Sequence, residues 1–393
     1  MQRPNHILPL IVLSQFAGTS LWFSGNAILP EISKTFQLQQ GALALVTSSV
    51  LIGFITGTFV YAVFAIADRF KPSTVFFLSS VLAALANLLI LLPDLQISSL
   101  ILSRFLVGFF LAGIYPVGMK IAAEWYEKGL GKALGYLVGA LVLGTAFPHL
   151  LKQAGWEYNW RVVLLMTSSF ATIGGLVIVL FIPRGPFAKT SLHYSFTAFQ
   201  QSFRFANFRS ASFGYFGHMW ELYAFWAFVP VLLTLYVKKQ EAALNVPFWS
   251  FSIIAAGAVG CVVGGYLTKR YGSAKVAFAA LCISCVCCIL AYFSYNLPAH
   301  LFLLFMFIWG IAVVADSPQF SSIVAQTAVA ENKGAALTIV TCIGFSITVA
   351  SIYLLNYLFE AWLQSPWVLL LLAPGPLFGL WKLYPLLKEK AFQ

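Results

Sequence analysis

Glu221 lies in the middle of a long apolar segment, with His218 three positions before it in the run Tyr215–Tyr223. Side chains at this spacing share one face of a helix, so we expect the imidazole and the carboxylate to meet. Histidine titrates near neutral pH, and a charged carboxylate is costly in apolar surroundings. The pair is therefore predicted to take up and release a proton, with Glu221 as the coupling group and His218 tuning it. The alternative is a buried hydrogen bond that only fastens this helix to a neighbour.

Asp316 and Arg104 are two further ionisable residues inside apolar segments. Such groups cost roughly a few kcal/mol within a membrane, which makes each a candidate for proton coupling. Asp316 precedes Pro318, and a proline predicts a kink, so capping a broken helix is its alternative role. Arg104 cannot simply deprotonate, so we expect an acidic partner or an anionic ligand; packing against backbone carbonyls is its structural alternative.

Other sites of chemistry are not indicated. The chain has no phosphate-binding loop of the pattern Gly-x-x-x-x-Gly-Lys-Ser/Thr, no Ser-His-Asp constellation and no set of metal ligands. All six cysteines fall in apolar segments, where we interpret them as packing residues without disulfides. We expect no cofactor, no metal and no enzymatic activity, although a membrane-embedded transferase is the rival from another class. Energy must then come from an ion gradient, or transport is passive.

Twelve apolar segments position these residues. With 60% hydrophobic and 9% charged residues, the chain is predicted to be an all-α integral membrane protein. A helix needs roughly 20 apolar residues to cross the bilayer, and it satisfies its own backbone hydrogen bonds. The predicted transmembrane spans 1 to 12 are 6–30, 41–66, 73–93, 97–123, 132–153, 162–183, 210–236, 248–268, 275–296, 300–328, 335–358 and 366–386.

The lysines and arginines predict the orientation of these spans. If the N-terminus is cytoplasmic, 17 of them fall in inner segments and 5 in outer segments, with Arg104 left inside a span. Positive charge is retained on the cytoplasmic side, so both termini are expected in the cytoplasm and the protein in the inner (plasma) membrane. The formal charge of +11 is spread over alternate loops, which indicates contact with membrane lipids and no nucleic-acid binding.

The chain divides into two similar halves. The longest polar interruption predicts an N-terminal bundle of six helices over 1–183, a cytoplasmic linker over 184–209 and a C-terminal bundle of six helices over 210–393. Pro116 in span 4 precedes Gly131 by 15 positions, and Pro318 in span 10 precedes Gly334 by 16. Parallel repeats of this kind are one architecture of secondary transporters, with the substrate site between them.

Four motifs along the chain resemble those of the major facilitator superfamily. The loop after span 2 is similar to the Gly-x-x-x-Asp-Arg-x-Gly signature, and its second copy follows span 8. Span 4 is similar to the Arg-x-x-x-Gly pattern, and the end of span 1 to the Ala-Leu-Pro-x-Ile motif. The residues that carry the resemblance are Asp68 and Arg69, with Phe64 in place of the first glycine and Lys71 near the second; Gly265, Arg270 and Gly272, with Lys269 in place of the acid; Arg104 and Gly108; and Asn26 to Ile32.

The resemblance implies two six-helix bundles that transport a solute by alternating access. It implies that Asp68 and Arg69 form a cytoplasmic gate and that Arg104 is associated with proton coupling. The substrate cavity should be lined by the first helix of each triplet, with Tyr115 of span 4 joining. The expected cavity residues are Gln15, Trp22, Asn26 and Tyr223, beside His218 and Glu221.

The predicted function is proton-coupled uptake of a small polar or anionic organic solute, such as a siderophore-like carboxylate, by a monomer. Efflux by proton antiport of a drug or metabolite is the alternative. The antiporter pattern of span 5 is weakened because Pro148 stands where its last glycine belongs. A channel fits the two gated halves less well than a carrier.

Overall fold

The computed structural model describes residues 4–35, 41–92, 96–126, 130–153, 159–188, 196–329, 333–361 and 365–388. These residues form helices and turns and contain no β-strand. The chain folds into two compact units, Met1–Tyr194 and Ser195–Gln393. Part of the predicted linker, residues 189–195, lies outside the described residues, so the predicted linker boundaries stay a prediction.

The first unit contains ten α-helices, counted over its described residues. Most are apolar over their whole length, and their breaks fall at turns inside the predicted spans. The helices are α1 Ile7–Thr19, α2 Ser24–Ala27, α3 Leu29–Thr35, α4 Ala42–Val63, α5 Ile66–Arg69, α6 Pro72–Leu88, α7 Ile97–Leu111, α8 Tyr115–Trp125, α9 Leu130–Gln153 and α10 Trp160–Phe181.

The second unit contains eight α-helices in the part that the structure describes. They are α11 Phe196–Phe203, α12 Ala206–Gln240, α13 Val246–Tyr271, α14 Ser273–Ser294, α15 Ala299–Ala315, α16 Ser317–Thr327, α17 Lys333–Ala361 and α18 Pro374–Leu383. Span 12 is completed by 3₁₀ turns at Pro366–Leu372 and Tyr384–Lys388, on either side of α18.

Eleven helical stretches among the described residues are long and apolar enough to cross a membrane, and they correspond to predicted spans 2 to 12. Large apolar side chains on their surfaces are exposed, for example Leu180 at 65% and Phe293 at 58%. Lipid tails satisfy such surfaces, so the prediction of an all-α membrane protein is confirmed. Span 1 differs from the prediction, because its first helix stops at Thr19 and a turn at residues 20–23 separates α1 from α2.

Spans 4 and 10 are each divided into two helices, and a proline opens the second helix in both. Pro116 lies in the first turn of α8, and Pro318 lies in the first turn of α16. Proline lacks the N–H that an α-helix would donate to the preceding turn, so it fits best at a helix start. The kink predicted at Pro318 is therefore a complete break, with Asp316 between α15 and α16.

Glycines bring the second and fourth spans of each unit into backbone contact. A Cβ atom on Gly108 of α7 would overlap the Val50 carbonyl oxygen of α4, and one on Gly310 of α15 would overlap that of Ile253 in α13. Only glycine permits so close an approach of two helices. Gly310 follows Gly108 by 202 positions, as Pro318 follows Pro116, so the two units repeat one packing plan.

Candidate functional site

His218 and Asp316 form a buried acid–imidazole pair in the second unit. His218 Nδ1 lies 3.0 Å from Asp316 Oδ1, and both side chains are 1% exposed. His218 Nε2 lies 2.7 Å from the hydroxyl oxygen of Ser317, the next residue along the chain. The ring centroids of Phe320 and Tyr215 lie 5.6 Å and 6.1 Å from that of the imidazole, and these rings help to bury it. His218 thus connects α12 to the two residues at which α15 ends and α16 begins.

The break itself is held by other side chains. The Val314 carbonyl oxygen accepts a hydrogen bond from the Cys261 thiol of α13 at 3.5 Å, and the Ala315 oxygen accepts one from the Gln319 amide at 3.0 Å. These are carbonyls that lose their helical donors where α15 ends. The Asp316 carboxylate forms no hydrogen bond of good geometry that would cap α16, although the backbone N–H groups of Asp316 and Ser317 lie close to it.

Glu221 lies one turn further along α12 and has different neighbours. Its Oε1 accepts hydrogen bonds from the Ser284 hydroxyl at 2.5 Å, the Trp309 indole N–H at 2.6 Å and the Cys288 thiol at 3.2 Å. Ser284 and Cys288 are four residues apart on α14, and Trp309 belongs to α15. Glu221 is 1% exposed, so this carboxylate fastens α12 to two helices inside the unit.

The prediction that His218 and Glu221 meet is wrong. The two residues do lie on neighbouring faces of one helix, but each side chain reaches the helix that packs on its own face. His218 turns to Asp316 and Ser317, and Glu221 turns to α14 and α15. Asp316, which the sequence offered as a second and separate candidate, is the acid that belongs with the imidazole.

Arg104 is fully buried in the first unit and holds the turn that interrupts span 1. Its Nη2 donates to the carbonyl oxygens of Leu21 at 2.9 Å and Trp22 at 3.0 Å. Its Nη1 donates to Asn87 Oδ1 at 2.8 Å and to Ser24 Oγ at 3.1 Å. All four acceptors are neutral, so the expected acidic partner is not found among the described residues. The alternative, packing against backbone carbonyls, describes the observed geometry.

Asn87 extends this network to another helix. Its amide nitrogen lies 3.1 Å from Ser168 Oγ in α10, while its oxygen accepts from Arg104. Gly25 completes the fit, since a Cβ atom there would lie 3.0 Å from Arg104 Nε. Spans 1, 3, 4 and 6 thereby meet at one guanidinium.

The predicted cavity residues lie against neighbours of their own unit. Gln15 is 0% exposed and its amide oxygen lies against Gly118 of α8. Trp22 packs on Phe54, Asn26 donates to Thr47 at 2.6 Å, and Tyr223 packs on Trp226 and Phe345, while Tyr115 at the start of α8 is half-buried. Their role in a substrate cavity stays a prediction.

The predicted gate residues lie in the short helix α5. The Asp68 carboxylate forms an ion pair of 2.5 Å with Lys120 of α8, and both side chains are 23% exposed. Arg69 is exposed. The chain turns into α5 through Ala65, whose φ of 49° is left-handed. This conformation is costly for a residue with a Cβ, and here it falls one position after Phe64, which replaces the glycine of the family motif.

Replacing Asp68 with asparagine should slow transport about fivefold or less and leave solute binding intact. The ion pair is half-buried and contributes roughly 1 kcal/mol at most to the state that it stabilises. Initial rates and equilibrium binding should be compared in the wild type, D68N and a K120M variant, which removes the same pair from its other end. Equal losses of binding and rate in D68N would contradict a gating role.

The sequence did not identify the partners of these ionisable groups. Asn87, Ser284 and Trp309 carry hydrogen-bonding side chains in mostly apolar helices, which is the only sequence signal for them. Lys120 is one of the 17 basic residues that the predicted orientation places in inner segments. Among the described residues there is no cluster of three or more His, Cys, Asp or Glu side chains that could hold a metal ion.

Comparisons with known proteins agree with this architecture. The family model of the Major Facilitator Superfamily matches residues 11–350. No curated protein matches the chain. Among solved structures, the human organic anion transporter MFSD10 (TETRAN) superposes with a TM-score of 0.76 at 14% identity, covering 97% of this chain and 100% of that chain.

The fucose:proton symporter FucP of E. coli gives a TM-score of 0.68 at 13% identity, with 98% of this chain and 100% of that chain covered. FucP in its outward conformation gives 0.68 at 14% identity, with 98% and 99% covered. Identities this low support the fold alone. The family model spans most of the chain, however, and the protein therefore belongs to the major facilitator superfamily.

Proposed function

We propose that this member of a transporter family is a secondary transporter that moves a small polar or anionic organic solute into the cell together with protons. The observation that carries the proton coupling is that three ionisable side chains, His218, Glu221 and Asp316, are buried where α12 meets α15 and its end, so at least one of them is available to hold a proton. Ionisable groups are retained inside a membrane protein at a cost of roughly a few kcal/mol, which function offsets.

The structure limits how an anionic solute would be bound. Arg104 is completely buried in the first unit, and its two terminal nitrogens already hold four neutral acceptors. A carboxylate solute would therefore have to be recognised by groups other than these two nitrogens. The human neighbour is an organic anion transporter and FucP transports fucose with protons, so both solute classes belong in the test.

Purified protein in proteoliposomes should accumulate one class from a panel of sugars, polyols, hydroxycarboxylates and amino acids under an imposed proton gradient. A proton ionophore should abolish this accumulation but not solute exchange across the same membrane. Saturable flux distinguishes a carrier from a channel, and chemically unchanged solute distinguishes it from an enzyme. Accumulation that ignores the ionophore would overturn proton coupling, and flux only in the outward direction would favour antiport.

We further propose that both termini are cytoplasmic and that the monomer resides in the inner membrane among anionic lipids. Reporter fusions should place residues 31–40, 154–161 and 237–247 outside and 184–209 inside, because basic residues favour the inner segments by 17 to 5. Residues 154–158 lie outside the described residues, so this measurement is independent of the structure there. A periplasmic reporter at 184–209 would refute the orientation.

A further inference from the structure

The break in span 10 contacts α12 through one ionisable pair, whose role depends on the proposed proton coupling. We infer that the transported proton is held by the His218–Asp316 pair and that the pair is a releasable link between α12 and the junction of α15 with α16. Glu221 is then a positioning residue that keeps α12 packed on α14 and α15. The pair and Glu221 can be distinguished by single substitutions.

The two carboxylates differ in how their oxygens are satisfied. Three donors converge on Oε1 of Glu221, which makes that carboxylate a well-bonded cross-link. Asp316 is fully buried with the imidazole near Oδ1, and no donor of good hydrogen-bond geometry reaches either of its oxygens among the described residues, although the backbone N–H groups of Asp316 and Ser317 lie close to the carboxylate. A buried charge that lacks donors is costly, and a proton removes that cost. The Asp316 carboxylate, with its weaker hydrogen bonds, therefore gains more from a proton than that of Glu221.

The proton count of the pair is simple. With Asp316 ionised and His218 neutral, the pair carries one negative charge. One added proton, bound at the Asp316 carboxylate or at the imidazole, makes the pair neutral overall. Release of that proton restores the negative charge. Binding and release of one proton thus change the charge between α12 and the break by one unit, without any other reactant.

Few other charges compete at this position. The titratable groups that interact electrostatically with Asp316 are His218 and Glu221 on α12 and the Cys261 thiol on α13. Helix α16 contains no ionisable residue, and α15 contains only His300 near its start. Ser317 and Gln319 contribute neutral hydrogen-bonding groups. The ionisable side chains that act on Asp316 among the described residues therefore come mainly from α12, beside the backbone N–H groups at the start of α16.

The break has one set of contacts that a proton cannot alter and one that it can. Cys261 and Gln319 donate to the carbonyls of Val314 and Ala315, and they do so without a change of charge. The His218 contacts to Asp316 and Ser317 depend on which nitrogen carries a proton. Loss of those contacts would leave α16 held to α12 only by apolar packing, such as that of Phe320 on Tyr215, while α13 still holds the end of α15, so the break would act as a hinge.

Infrared difference spectroscopy of the purified protein, titrated with protons alone, tests the assignment. Histidine labelled with ¹⁵N identifies imidazole bands, and carboxylic acid bands are separate from carboxylate bands. We expect a coupled imidazole and carboxyl transition in the wild type. D316N and H218Q should lose it, and E221Q should retain it. Retention in D316N, loss in E221Q, or no transition in the wild type would overturn the inference.

A milder variant keeps the test decisive if D316N or H218Q does not fold. S317A removes the hydrogen-bond partner of His218 Nε2 but no ionisable group, so it should shift the midpoint of the same transition and leave its amplitude intact. An unchanged midpoint in S317A would contradict the proposed pair.

The transport measurement separates this inference from the proposed function. With a solute identified by the panel, D316N should lose accumulation driven by a proton gradient and retain solute exchange. Normal gradient-driven accumulation in D316N would overturn the pair as the proton site while leaving proton-coupled transport standing. A wild-type protein that titrates as expected but accumulates no solute would instead overturn the proposed function.

Discussion

Replacing Arg104 with lysine is expected to destabilise the protein strongly, although the positive charge is kept. The guanidinium donates to four buried acceptors in two directions, and an ammonium on a narrower stem cannot reach all four. Each buried acceptor left without a donor costs about 1–3 kcal/mol. R104K should therefore lower the melting temperature of the detergent-purified protein and its monodisperse yield, and R104A should lower them at least as much.

The exposed Arg161 offers a matched control. Its guanidinium lies 5.4 Å from the Trp160 ring at the start of α10, so R161K and R161A should leave the melting temperature nearly unchanged. The paired variants also separate two roles of Arg104. If R104K were as stable as the wild type and lost only proton coupling, the hydrogen-bond geometry of Arg104 would not be what holds the turn. Arg104 would then act in proton coupling, as the family resemblance implies.

The membrane fold could be predicted because its cause is local. Each crossing needs an apolar stretch of sufficient length, so hydropathy alone located spans 2 to 12 as the structure has them. The turn at residues 20–23 could not be found in this way, because that segment is as apolar as its flanks. It persists because Arg104, 80 or so positions later, supplies donors for the freed carbonyls of Leu21 and Trp22.

The internal repeat illustrates the same limit. The offset of 202 positions relates Pro116 to Pro318, and at that offset Arg104 corresponds to Met306. In the second unit the first span is α12, which runs without a break for 35 residues. A buried donor is present in the unit whose first span is broken and is replaced by an apolar side chain in the unit whose first span is continuous.

The identity of the candidate site was only partly predictable. Helical spacing showed that His218 and Glu221 lie near each other on α12, but it contains no information about which helices pack on either face. Asp316 lies 98 positions after His218, and the break at Pro318 turns it toward the imidazole. The ionisable residues themselves were found because they are rare in apolar spans, whereas neutral partners such as Ser284 were not.

Glu221 provides the second large effect, and its two substitutions should differ. Glutamine keeps an oxygen that can accept from Ser284, Trp309 and Cys288, so E221Q should fold and accumulate solute under a proton gradient as the wild type does. Leucine keeps the approximate size of the side chain but leaves three buried donors without an acceptor. Each unsatisfied donor of the stronger two, the Ser284 hydroxyl and the Trp309 N–H, costs about 1–3 kcal/mol of folding free energy. E221L should therefore lose much of its thermal stability and its transport, as measured by melting temperature and initial flux.

The exposed Glu241, at the end of α12, is the control for the loss of a carboxylate, and E241Q should match the wild type in both measurements. The sequence alone favours Glu221 as the proton-coupling group, whereas three donors bond its carboxylate and our inference assigns the proton to the His218–Asp316 pair. These two roles predict opposite results for E221Q. If E221Q folds and exchanges solute but cannot accumulate it, the proton belongs to Glu221, and the His218–Asp316 contact would then only fasten the break in span 10 to α12.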